Sequence, residues 1–310
     1  MTASAETTAL DLTRPFRLGT EQRFPLDLTS SSATVWDAYE TALREVWDPE
    51  DEALWKGFDV ATYDEATRAG GALVWSHLAW IEFPAIAESE AVLIRACLEP
   101  GVDIDLKYCL SMRAVERARS TDLAHMVAAR LDHYESEPTG TGLAGLLDDE
   151  LVRRALHVDS DLDAYIAAHL GAQATVDLRM WEAAAANARE PLAGLIGLVV
   201  RDKARMLEVA WTHLAETIPG RTEADRRAIA AAVEYVIVEE ELRGRRVPAL
   251  LAAGTDRDGL MTAHSVAATA GLAGVTEAEQ LDAVESALTE VAARLADLDI
   301  VIAPVTVAGR

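Results

Sequence analysis

Apolar residues recur along most of this chain at three- and four-residue intervals, the spacing of one buried helical face. That pattern predicts four long helices, over about 62–98, 103–134, 160–189 and 191–216. Gly70-Gly71 and Pro84 fall inside the first, so a kink is expected near Trp80. Thr34 is placed to cap a shorter helix over "VWDAYETALREVW". Thr62 then opens the first long helix, and Asp159 or Ser160 the third. Pro191 suits the first turn of the fourth. Thr222 caps a helix reaching Arg243, and shorter helices are expected near 149–156, 246–253, 258–270 and 276–297. "YESEPTGTGLAG" reads as a loop and as the chain's hinge. The tail "DIVIAPVTV" is the only strand-like segment. The fold class is therefore all-α, a bundle, because the long helices exceed the usual mean of about 11–12 residues. Its parts are an extended arm over 1–34 that wraps the body, a helical domain over 35–297 and a tail over 298–310.

Composition changes that picture little. A chain of 310 residues can bury roughly three quarters of its unfolded surface, so it needs no covalent or metal staple. Its two cysteines, Cys97 and Cys109, suit a reducing compartment rather than a disulfide framework. No basic segment precedes an apolar core at the start, and no apolar run approaches about 18 residues, so a cytoplasmic protein off the membrane is expected. The net charge of −24 would repel nucleic-acid phosphates and suits a basic protein partner. No Gly-rich phosphate loop, Gly-x-Ser-x-Gly elbow or Cys-x-x-Cys pair is present.

The pattern that invites chemistry is a repeated tetrapeptide. "ERARSTDLA" at 116–124 aligns with "DKARMLEVA" at 202–210, acid on acid, base on base and arginine on arginine. Each lies in an apolar long helix, and the i, i+3 spacing puts Glu116 with Arg119, and Asp202 with Arg205, on one face. A bundle carrying Glu-x-x-His on two helices and a further Glu on the other two is the di-iron carboxylate arrangement. Here arginine stands in the histidine position, and a guanidinium has no lone pair for a metal. It can neutralise a buried carboxylate instead. Sliding the second segment by one places Lys203 and Met206 there, which cannot build the site either. Both registers describe a metal site that no longer holds metal, with Glu116, Arg119, Asp202 and Arg205 as structural ion pairs.

On these residues the chain resembles the ferritin-like superfamily, and within it the bacterial multicomponent di-iron monooxygenases and ribonucleotide reductase small subunits. "WIEFPAIAESEAVLIR" (80–95) is similar to the helix that supplies the first glutamate, here Glu82. "MRAVERARS" (112–120) and "VVRDKARMLEVA" (199–210) are similar to the two motif helices. "WKGFDVATYDEA" (55–66) resembles the stretch before the bundle in the non-catalytic β subunits of the hydroxylases, which keep the fold and lack the iron ligands. The resemblance spans about 36–245. It implies a ferritin-like four-helix bundle with additional helices, acting as a metal-free structural subunit of a monooxygenase that hydroxylates or epoxidises a small organic substrate. No cofactor is then expected in this chain. The di-iron centre would lie in a catalytic α-like partner, with a reductase and an effector protein as further partners in an oligomer.

Two other functions stay open. A stand-alone di-iron oxygenase or oxidase would draw irregular ligands from Glu82, Glu116, His125, His169, Glu182, Asp202 and His213. A helical small-molecule-binding or scaffold protein would need none of them. The bland readings are an ordinary solvated Glu–Arg pair worth a few tenths of a kcal/mol, a plain ion pair at Glu82, and isolated histidines that fill core or surface. Trp75, Trp80, Trp181, Trp211, Met180 and Met206 read most simply as core.

Overall fold

The computed structural model describes residues 28–99, 101–147 and 161–307, so the expected arm up to residue 27 and the short helix near 149–156 lie outside it. The described residues are all-helical, and the one β-bridge among them joins Ala188 to Leu272. In chain order the α-helices are α1 (Ala33–Arg44), α2 (Glu65–Leu98), α3 (Ile104–Leu131), α4 (Thr141–Leu147), α5 (Leu162–Tyr165), α6 (Ala174–Ala186), α7 (Leu192–Thr217), α8 (Glu223–Glu239), α9 (Thr255–Ala270) and α10 (Glu277–Ala296). A π-helical segment, Ile166–Gln173, joins α5 to α6.

The helix starts are set by local chemistry. Asp64, not Thr62, caps α2 by accepting the Thr67 N–H at 2.8 Å; Thr62 ends a preceding 3₁₀ turn, Val60–Thr62. Ser32, not Thr34, stands at the start of α1, and its hydroxyl bonds Glu216 instead of the helix. Asp161 rather than Asp159 or Ser160 caps α5. Thr222 and Thr276 each form a complete capping box. Helix α2 runs on through Pro84. Part of the expected hinge loop is helical, as α4, and the segment expected to form a helix over 246–253 supplies only the 3₁₀ turn Pro248–Leu250. No described residue of the tail is in a strand. Its Ile300 and Val307 bury individually against the helices, which needs no partner strand.

Helix α2 lies along α3 and carries α9 on another side, α6 packs against α7 and α10, and α8 covers the π segment. The close approach of α2 depends on Gly71. A Cβ there would sit 2.8 Å from Leu131 Cδ1 and 3.0 Å from Leu272 Cδ1. The apolar interior falls into two large clusters. One is centred on Trp75, Trp181, Leu123 and Leu195, and the other on Leu110, Ile166, Trp211 and Val233. All six Trp and Met residues expected in the core are buried. Between the two clusters lies a layer of charge.

Candidate functional site

Four side chains from four helices meet in that layer: Glu82 of α2, Arg117 of α3, Asp177 of α6 and Lys203 of α7. One Arg117 nitrogen donates to Glu82 Oε2 and to Asp177 Oδ2, both at 2.8 Å. Lys203 Nζ donates to Glu82 Oε1 and to Asp177 Oδ2, both at 2.6 Å. Each cation bridges both carboxylates, so two acids and two bases close a neutral square. Trp181 adds an indole N–H to Glu82 at 3.2 Å, and its ring lies beneath the Lys203 ammonium. Burial alone would push the Glu82 and Asp177 carboxyls up. Lys203 and Arg117 outweigh it, with Arg246 helping at Asp177, and hold both below the usual carboxylate range.

The repeated tetrapeptides face each other one layer away. Arg205 donates to Glu116 at 2.6 Å and to Asp202 at 2.7 Å, while Arg119 lies 3.7 Å from Asp202. Glu116 thus pairs across to α7, and Arg119 reaches across to the acid of the opposite repeat. Asp202 also accepts the Trp47 indole N–H at 2.8 Å. Arg119 stacks over the Trp47 ring, and its three nitrogens have no hydrogen-bond partner. Burial raises the Glu116 carboxyl, against the pull of Arg205. A small cavity of about 20 Å³, room for one water, separates the two layers between Arg113, Glu116, Ser120 and Lys203.

A third layer hangs on the π segment. Its wider turn brings Gln173 inward, where the amide donates to Glu240 at 3.0 Å and to Glu241 at 2.9 Å. Arg246 binds Glu241 and approaches Asp177, and Arg245 donates to Glu88 at 2.9 Å. Across the three layers, Glu82, Glu88, Glu116, Asp177, Asp202, Glu240 and Glu241 face Arg113, Arg117, Arg119, Lys203, Arg205, Arg245 and Arg246. Glu45 and Arg201 join at its half-buried edge, and with them acids and bases still match in number among the described residues, so the network is neutral inside a strongly acidic chain. Neutrality is the condition for burying so much charge.

The remaining residues singled out from the sequence are dispersed. His125 is exposed with its ring against Tyr134. His169 packs on Tyr165 and contacts Gln173 at 3.3 Å. His213 contacts Asp163 at 3.0 Å, and Asp163 also holds Arg221. Glu182 pairs with Arg179. Among the described residues no three His, Cys, Asp or Glu side chains are grouped to hold a metal ion. Cys97 is exposed and Cys109 is buried; burial pushes the Cys109 thiol up to about 12.

Sequence reasoning missed Asp177 and the Glu88, Gln173, Glu240, Glu241, Arg245 and Arg246 layer. Asp177 sits in "ATVDLRMW", where one acid amid apolar residues was the available signal. Arg117 and Lys203 were aligned as bases without being assigned to the centre. No helix is long and apolar enough to cross a membrane among the described residues. Comparison of the chain with protein-family models, with curated proteins and with solved structures gives no match.

Proposed function

We propose that this chain is a metal-free, ferritin-like structural subunit whose four-helix bundle is closed by salt bridges where a catalytic relative would hold two irons, and which serves a catalytic α-like partner of a multicomponent monooxygenase. The observation that supports the reading is the square of Glu82, Arg117, Asp177 and Lys203. One acid or base comes from each of four helices, which is the placement a di-iron centre needs, but the residue types are wrong for it. Both carboxylates already bond two cations, and neither cation has a lone pair free for a metal while protonated. A di-iron centre does not fit this donor set. Of the histidines in the candidate ligand set, the buried ones, His169 and His213, are held by Gln173 and Asp163 instead.

A subunit of this kind contributes a rigid helical body and surface. The resemblance of residues 36–245 to non-catalytic hydroxylase subunits supplies the partner class and the substrate class, a small organic molecule oxidised in the partner.

The test is elemental analysis of the chain purified from iron-supplemented cells, alone and co-expressed with the genes flanking its own. Well under one iron per isolated chain is expected, with iron appearing in a co-purifying partner. Two irons per isolated chain would overturn the subunit reading in favour of a stand-alone oxygenase. An iron-free chain that captures no redox partner would favour the scaffold reading.

A further inference from the structure

Outside the charged core, the surface between the start of α2 and the end of α9 holds a cleft of about 500 Å³, within the range of small-molecule sites. Its walls include Tyr63 and Asp64 before α2, Ser265, Val266 and Ala270 of α9, and Arg189 from the connection between α6 and α7. Arg189 is seated with care. Its backbone N–H donates to Gly271 O at 2.9 Å, beside the Ala188–Leu272 bridge. Gly271 has φ of 77°, and a Cβ there would collide with Arg189 Cγ, so the aliphatic stem of Arg189 lies where only glycine permits.

The guanidinium at the end of that stem is paired with no carboxylate among the described residues, in a chain with far more acids than bases. The two nearest acids in chain and cleft are committed elsewhere. Glu190 accepts the Gly194 N–H at 3.3 Å, and Asp64 accepts the Thr67 N–H as the cap of α2. An arginine held at its base and unpaired at its tip offers a planar fork of donors, the shape that binds a carboxylate through two parallel bonds. Tyr63 and Ser265, which line the same cleft, suit a polar substituent, and Val266 with Ala270 an apolar one. The negative charge of Asp64, which lines the same cleft, disfavours a dianion such as phosphate more than a monoanion. We propose that this cleft binds a small monocarboxylate, with Arg189 gripping the carboxylate group.

Isothermal titration of the full chain at low salt tests this, with acetate, lactate, benzoate and inorganic phosphate as probes. At least one carboxylate should bind saturably at one site with Kd on the order of 1 mM or tighter. Arg189→Gln should weaken that binding at least about tenfold, while Arg189→Lys, which keeps stem and charge but loses the fork, should weaken it by a smaller factor. Both variants should melt close to the parent chain, since the guanidinium makes no hydrogen bond or ion pair among the described residues and the stem against Gly271 is largely kept. No saturable binding across the carboxylates overturns the site. So does equal affinity in all three chains, or phosphate binding tighter than every carboxylate.

Discussion

Arg117 shows how much one side chain decides. Its guanidinium holds Glu82 and Asp177 together, and removing it leaves Lys203 as the one cation, among the described residues, that hydrogen-bonds both, with Arg246 at 3.9 Å from Asp177. Stranding a buried charge costs about 3–5 kcal/mol, whereas an exposed pair is worth about 0–1 kcal/mol. Arg117→Ala should therefore lower the unfolding free energy by about 3–5 kcal/mol in urea titrations. A loss below about 1 kcal/mol would place the pair in solvent. Replacing all four members together, with Glu82→Leu, Arg117→Met, Asp177→Val and Lys203→Met, should be near neutral or stabilising, because desolvating four charges offsets their mutual attraction. The contrast separates what breaking the square does from what having it contributes.

At the scale of elements, Gly70 and Gly71 of α2 make opposite predictions from adjacent positions. Alanine favours a helix over glycine by about 1 kcal/mol. At Gly70 a Cβ meets Val266 at 3.4 Å, ordinary contact, so Gly70→Ala should stabilise by about 0.5–1 kcal/mol. At Gly71 it would press Leu131 and Leu272, and overpacking costs about 1–3 kcal/mol, more than the propensity gain. Gly71→Ala should lower the melting temperature and Gly70→Ala raise it; the same sign for both would refute the packing argument. The helices themselves were legible because their apolar spacing and caps are local. Their ends were less so. Asp64 displaced Thr62 as a cap because a carboxylate two residues later was equally able to accept an N–H. The π segment was not legible. Small residues such as Gly171, whose Cβ would lie 3.1 Å from Trp211, permit it, but only the neighbouring helix requires it.

For the whole molecule, acid should loosen the contact between α2 and α9. His77 and His264 face each other there, ring centroids 6.4 Å apart, around a small cavity also lined by Asp177 and Arg246. Burial, with the nearness of His264 second, pushes His77 from 6.5 down to about 3, and burial pushes His264 from 6.5 down to about 4. The unfolded chain thus binds protons below pH 6.5 that the folded chain refuses. The stability these rings contribute is complete above pH 6.5 and falls as pH drops toward 4 and then 3, at about 1.4 kcal/mol per unit for each histidine. Below about 4.5 the depressed Glu82 carboxyl adds a loss of the same sign. Urea titrations between pH 8 and pH 5 should show that slope, and His77→Leu with His264→Asn should flatten it. An unchanged slope in the double variant would show that other groups carry it.

What the chain determined by itself was helicity and the burial of charge. Both follow from residues within a few positions of each other, where hydrogen bonds close inside one helix and capping acids sit beside the N–H groups they accept. The acid-base repeat at 116–119 and 202–205 was visible for the same reason. Which acid meets which base was not. Neighbouring residues on a helix point about 100° apart, so Glu116 and Arg117 could not both face one centre, and only the rotation and axial register of α3 against α2, α6 and α7 chose between them. That choice sent Arg117 and Lys203 to the square with Glu82 and Asp177 and left Glu116, Arg119, Asp202 and Arg205 to the layer beside it. Register between helices is set by side chains far apart in sequence, such as Gly71 against Leu272 and Trp75 against Trp181. No local pattern encodes it.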